Sequence, residues 1–160
     1  MAQVIITDEQ QNAESLRTWA RTAVLGALAG LLFWLIALLL GHYVIEPLTC
    51  GQNMNAAVCA NATPLAGNIA AVLVAVAGII AMVRLRAARP IVIAAASAAL
   101  LWDLAFWTQG LFWLEAIGWS VLVYALSYAL FAWITRYASV WVTIVLSLLL
   151  VVIIRIALVL

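Results

Sequence analysis

The chain has 160 residues, of which 69% are hydrophobic and 8% charged, and a net charge of +1. Soluble domains are about 45–50% apolar and roughly 25% charged, so this composition excludes a soluble core. The arginines stand in ones, twos and a three with no lysine beside them, which excludes a nucleic-acid-binding surface.

Residues 1–21 read as a cytoplasmic or interfacial lead. Its first sixteen residues hold Asp8, Glu9 and Glu14 but no arginine, the opposite of the basic start of a cleaved signal, so the segment is expected to stay in the mature protein. Thr7 followed by Gln10 predicts a capping box, with Asp8 and Glu9 placed to suit the helix dipole. The lead is expected to skim the interface as a helix, with Trp19 at headgroup level, and then to bend into the first span.

Residues 22–160 read as a five-helix transmembrane domain, with spans at about 22–44, 64–83, 90–110, 115–135 and 139–158. The outer loop, 45–63, is the one sizeable connection, and the tight remaining turns predict antiparallel neighbours. Six of the arginines mark one side of the membrane. Arg17 and Arg21 precede the first span, Arg84, Arg86 and Arg89 separate the second from the third, and Arg136 separates the fourth from the fifth. Arginine and lysine concentrate on the cytoplasmic side of membrane proteins, which puts the N-terminus in the cytoplasm and the C-terminus outside. The absence of lysine and the abundance of alanine point to the codon usage of a GC-rich bacterium, and hence to a bacterial inner membrane. The fold class expected is an all-α integral membrane bundle.

Helices in lipid associate through close backbone approach and polar contacts. Gly26 and Gly30 form a GxxxG pair within one stripe of the first span that is ~80° wide. Gly67, Ala71 and Gly78 line the second span, and these two small-residue faces are expected to meet each other. On the fourth span Ser120, Tyr124 and Ser127 form a polar face. Their hydroxyls are expected to bond a neighbouring helix or their own carbonyls, the alternative being a water-filled path.

Asp103 is the strongest single functional candidate. It lies about 20 Å along the third span from Pro90, and Arg155 lies about 25 Å along the fifth from the same surface. Intramembrane charges are costly and are usually paired or functional. The two depths predict an Asp103–Arg155 pair, either locking the bundle or leaving Asp103 to titrate or bind a cation or substrate. Near the outer surface His42, Glu46 and Glu115 form a second polar group. His42 and Glu46 stand four apart on one helix end, within mutual reach.

Cys50 and Cys59 sit in the outer loop with eight residues between them, the arrangement of a structural disulfide in an oxidising compartment. Such a crosslink contributes about 2–3 kcal/mol through restriction of the loop. Two cysteines and one histidine do not complete a zinc site, and facing axial histidines for a haem are absent from the sequence. No cofactor or metal is expected. The partners expected are the bilayer and other membrane subunits or further copies of the chain, with no nucleic acid. No phosphate loop, nucleophile elbow or metalloprotease motif appears in the sequence. The leading functional expectation is therefore a non-enzymatic accessory, scaffold or assembly subunit of an inner-membrane complex. The second is a small oligomeric transporter or channel using the intramembrane carboxylate. The third is a membrane-embedded enzyme acting on a lipid or quinone.

Overall fold

The computed structural model describes residues 2–51, 59–85, 89–137 and 139–159. Helix α1 covers Ala2–Leu40 and runs through a π-helical turn, Gly41–Ile45, into the short α2, Glu46–Thr49. It is followed by α3 (Ala62–Arg84), α4 (Pro90–Leu100), α5 (Leu104–Trp107), α6 (Trp113–Tyr137) and α7 (Val140–Val159). Five stretches are long and apolar enough to cross a membrane: Trp19–Thr49, Ala62–Arg84, Pro90–Trp107, Trp113–Thr135 and Val140–Ala157. This is the pattern of a multi-pass membrane protein, and its apolar outer faces suit contact with lipid. Arg86, expected to help set topology, lies outside the described residues.

Two local expectations give way. The helix starts at Ala2, so Thr7 lies inside it rather than at its start. The helix passes into the first span without interruption. It is continuous over 39 residues, about 58 Å at 1.5 Å per residue, because no proline and no glycine interrupts it before Gly26. At its far end the helix also runs past Ile45 to Thr49, whose hydroxyl donates to the Ile45 carbonyl at 2.7 Å. The connection to α3 therefore starts at Cys50, shorter than the sequence suggests.

Helices α1, α3, α4 and α6 form the body of the bundle, and α7 lies outside it in the groove between α4 and α6. The core is aromatic on the α6 side, where Tyr124, Tyr128 and Phe131 are buried with Phe33 of α1. Small residues fill the α3 side, among them Ala66, Ala70, Ala71 and Val74. The most extensive interface joins α1 to α6, the first span to the fourth.

That interface corrects the expected meeting of the two small-residue faces. A Cβ on Gly26 would sit 2.8 Å from Ala125 Cα, and one on Gly30 2.8 Å from Val121 Cα, so both glycines face the backbone of α6. On α3, Gly67 receives Ala105 of α5 and Gly78 receives the ring of Tyr128. A glycine groove accepts a bulky ridge as readily as another groove, and ridge-into-groove packing places more atoms in contact. Like therefore need not meet like.

Helix α7 has the least of its surface inside the bundle, and the buried strip is narrow: Thr143, Ser147 and the partly covered Leu150, Val151 and Ile154. Polar clamps hold it near both ends. At its start the Arg89 guanidinium donates to the Thr143 hydroxyl, and near its end Arg155 meets Asp103.

Candidate functional site

The third span is broken where the sequence gives no sign of a break. Neither glycine nor proline occurs between Pro90 and Gly110, and a continuous helix is expected there. Instead α4 stops at Leu100, the chain turns through 101–103, and α5 starts at Leu104. Asp103 carries the turn in the left-handed region, at φ 54° and ψ 12°. A left-handed conformation costs an L-residue roughly 1–2 kcal/mol, and aspartate is among the residues that enter it most readily.

The break frees backbone groups inside an apolar segment, where every unpaired one is costly. They find partners. The Leu101 N–H closes α4 on the Ser97 carbonyl at 3.0 Å, and the Asp103 carbonyl accepts from Phe106 and Trp107 at 2.9 and 3.2 Å. The Asp103 N–H donates across to Asn68 Oδ1 of α3 at 3.3 Å. Asn68 is thus the acceptor that a continuous helix would have supplied from its preceding turn. Asn68→Ala leaves that N–H unpaired, and we expect a loss of about 1–3 kcal/mol in SDS-induced unfolding. An unchanged midpoint would mean that the turn is held by the ion pair alone.

The carboxylate of Asp103 accepts from Arg155 Nη1 at 3.1 Å, with the two side chains 38% and 28% exposed. The guanidinium also lies over the Trp107 ring, 5.8 Å from its centroid, in cation–π geometry. The structure therefore brings together Asp103 and Arg155 from the third and fifth spans, Asn68 from the second and Trp107 from the short helix α5.

Beside this cluster lies a cavity of about 490 Å³. Leu101, Leu104 and Trp107 line it from the third span, Trp119 and Val123 from α6 and Ile154 from α7, and it is open on one side. Thr108 supplies the one lining hydroxyl, already donated to the Leu104 carbonyl at 3.0 Å. Walls of this kind offer water too few polar partners to hold it, and they suit hydrocarbon or an aromatic ring.

No protein-family model matches this chain, and no curated protein or solved structure matches it either. Chemistry at the site is what a functional assignment has to rest on.

The other candidate residues fall elsewhere. His42 Nδ1 lies 3.3 Å from Glu46 Oε2 across the π-helical turn, with both side chains largely exposed. Glu115 is exposed at the start of α6, and among the described residues no hydrogen bond or ion pair joins it to the other two. No group of three metal-ligating side chains forms among the described residues. Cys50 and Cys59 lie at disulfide distance, their Cα atoms 4.8 Å apart. The hydroxyl face of the fourth span is buried against its neighbours, with Ser120 beside Gly30 and Tyr124 tilted on Phe33 at 5.3 Å. Ser127 donates to its own helix, at the Tyr124 carbonyl, 3.0 Å away.

Asn68 and Trp107 do not stand out in the sequence as site residues. A signal for Asn68 exists, since it is the lone polar side chain in the apolar run 64–83. Trp107 offers none, because seven other tryptophans share the chain and most fit an interfacial belt.

Proposed function

We propose that this protein is a non-enzymatic accessory, scaffold or assembly subunit of a bacterial inner-membrane complex, with its N-terminus in the cytoplasm and its C-terminus outside. One observation carries the proposal: the two intramembrane charges, Asp103 and Arg155, are engaged with each other and fasten the outermost helix to the bundle. A charge pair used in this way locks a scaffold. The orientation is supported by the positions of Arg17, Arg21, Arg84, Arg89 and Arg136, which all belong to one end of the bundle. The long outward face of α7, with Val145, Leu148, Leu149 and Val152 exposed, offers a surface for a second membrane helix or for lipid.

Purification from the native membrane in mild detergent, followed by native mass spectrometry, tests this. Stoichiometric partners that recur between preparations are the expected result. A bare monomer or homo-oligomer would overturn it in favour of transport. That second function has a specific observation on its side, since transporters form ion and substrate sites at discontinuous spans, and here the break carries the Asp103 carboxylate. Loss of flux in Asp103→Asn would then establish it.

A further inference from the structure

We propose that Arg17 and Arg21 clamp the phosphate of an anionic glycerophospholipid, whose acyl chain lies along the outward row of α1 next to them.

Most arginines of the chain already have a task. Arg155 is engaged by Asp103, and Arg89 by the Thr143 hydroxyl. Arg84 stands in the last turn of α3 and Arg136 in that of α6, where a cation suits the negative end of the helix dipole. Arg17 and Arg21 instead stand in the middle of the 39-residue α1, where the helix itself takes up the backbone carbonyls. Both are exposed, and no hydrogen bond or ion pair joins either of them to another of the described side chains.

Their direction is outward. At about 100° per residue, the two arginines lie on the side of α1 away from Gly26 and Gly30, which face α6. They continue the row of exposed Val24, Leu28, Leu31 and Leu35. Residues four apart are neighbours on a helix surface, about 5–6 Å between Cβ atoms, so one phosphate can accept from both guanidinium forks.

Depth places the pair among head groups. A Cβ on Gly41 would meet the Ala66 Cβ at 3.7 Å, so these two residues share a level on the antiparallel α1 and α3. From that level Arg84, at the end of α3, lies about 27 Å inward and Arg21 about 30 Å. Arg21 is therefore level with the end of the second span, and Arg17 stands about 6 Å beyond it. The head-group layer adds roughly 5–7 Å to each side of the hydrocarbon, which takes in both. Glu14, the nearest carboxylate along the helix, stands about 10 Å farther out than Arg21. An acidic soluble partner would meet the arginines without using the apolar row beside them. A lipid uses both.

Native mass spectrometry of the full chain in mild detergent tests the proposal, with phosphatidylglycerol and phosphatidylcholine of identical chains as the titrants. The first adduct is expected at lower concentration with phosphatidylglycerol. An arginine beside an anionic lipid contributes about fivefold in affinity, so Arg17→Gln and Arg21→Gln should each weaken that adduct by about this factor. Arg84→Gln/Arg136→Gln removes two charges from the same end of the bundle and should leave the adduct unchanged. Glycerol 3-phosphate, which lacks the chains, should not compete. On the wild type, where folding is not in question, rising ammonium acetate should weaken the phosphatidylglycerol adduct alone. Equal binding of the two lipids, or a phosphatidylglycerol adduct indifferent to salt, would overturn the proposal. So would equal losses in the two sets of variants, which reduce the effect to diffuse attraction. Competition by glycerol 3-phosphate would overturn it too, by assigning the arginines to a soluble phosphate.

Discussion

Gly30→Val is expected to disrupt the bundle more than any other single exchange of a small residue. A Cβ at this position would stand 2.8 Å from both the Ser120 carbonyl carbon and Val121 Cα, and these are backbone atoms that no rotamer change can move. Overpacking a core costs about 1–3 kcal/mol when side chains can yield, and a clash with backbone belongs at the upper end or beyond. The two helices would have to separate along the largest interface in the molecule. Gly26→Val should act alike, through Ala125 Cα at 2.8 Å. Gly118 provides the control, since a Cβ there meets nothing within 4 Å although it belongs to the same α6. We expect Gly118→Ala to be neutral, or stabilising by up to about 0.5–1 kcal/mol from helix propensity. SDS-induced unfolding of the three variants decides the matter. Equal losses at Gly30 and Gly118 would show that the α1–α6 approach is looser than the structure has it.

The second large effect is expected at the Asp103–Arg155 pair. Arg155→Leu leaves a carboxylate inside the bundle without its partner, a change that costs about 3–5 kcal/mol for a buried pair. The side chains here are 28% and 38% exposed, which moves the expectation to the lower end of that range. Asp103→Asn is the better partner mutation for a cycle, because asparagine tolerates the left-handed conformation that Asp103 adopts. The double variant Asp103→Asn/Arg155→Leu should be more stable than the sum of the single losses implies, with a coupling of about 0.5–3 kcal/mol. Additive losses would mean that the two residues act separately and that α7 is held by its apolar strip alone.

Much of the architecture is legible along the chain because the signal is local. Each apolar run reports its own burial, and helix length follows from the thickness it has to cross. The third-span break is not legible in the same way, because Ala98, Ala99, Leu100, Leu101 and Trp102 all favour or tolerate helix. Its causes lie on other helices, in the amide of Asn68, the guanidinium of Arg155 and the close seating of Ala105 on Gly67. Sequence depth does place Asp103 and Arg155 within reach of each other, since rise per residue is fixed in a helix. It gives no rotation, so it does not reveal that Trp107 lies beneath the same arginine or that a cavity opens beside it.

The pairing of the small-residue faces shows the same division. Spacing alone shows that Gly26 and Gly30 share a stripe, as do Gly67, Ala71 and Gly78, and that each stripe admits a close neighbour. Which neighbour comes is a global choice. Tyr124 and Tyr128 are large, lie on one face of the fourth span and need a groove on each side, so the first span closes on α6 while Tyr128 fills the space at Gly78. By itself the sequence determined five apolar stretches long enough to cross a membrane, the clustering of arginines at their ends and the distance of two charges along their own segments, all properties of single segments. The tertiary structure alone decided the partners of each helix face, the turn at Asp103 and the cavity it opens. Those depend on side chains far apart in the chain meeting in three dimensions, where packing outweighs local helix propensity.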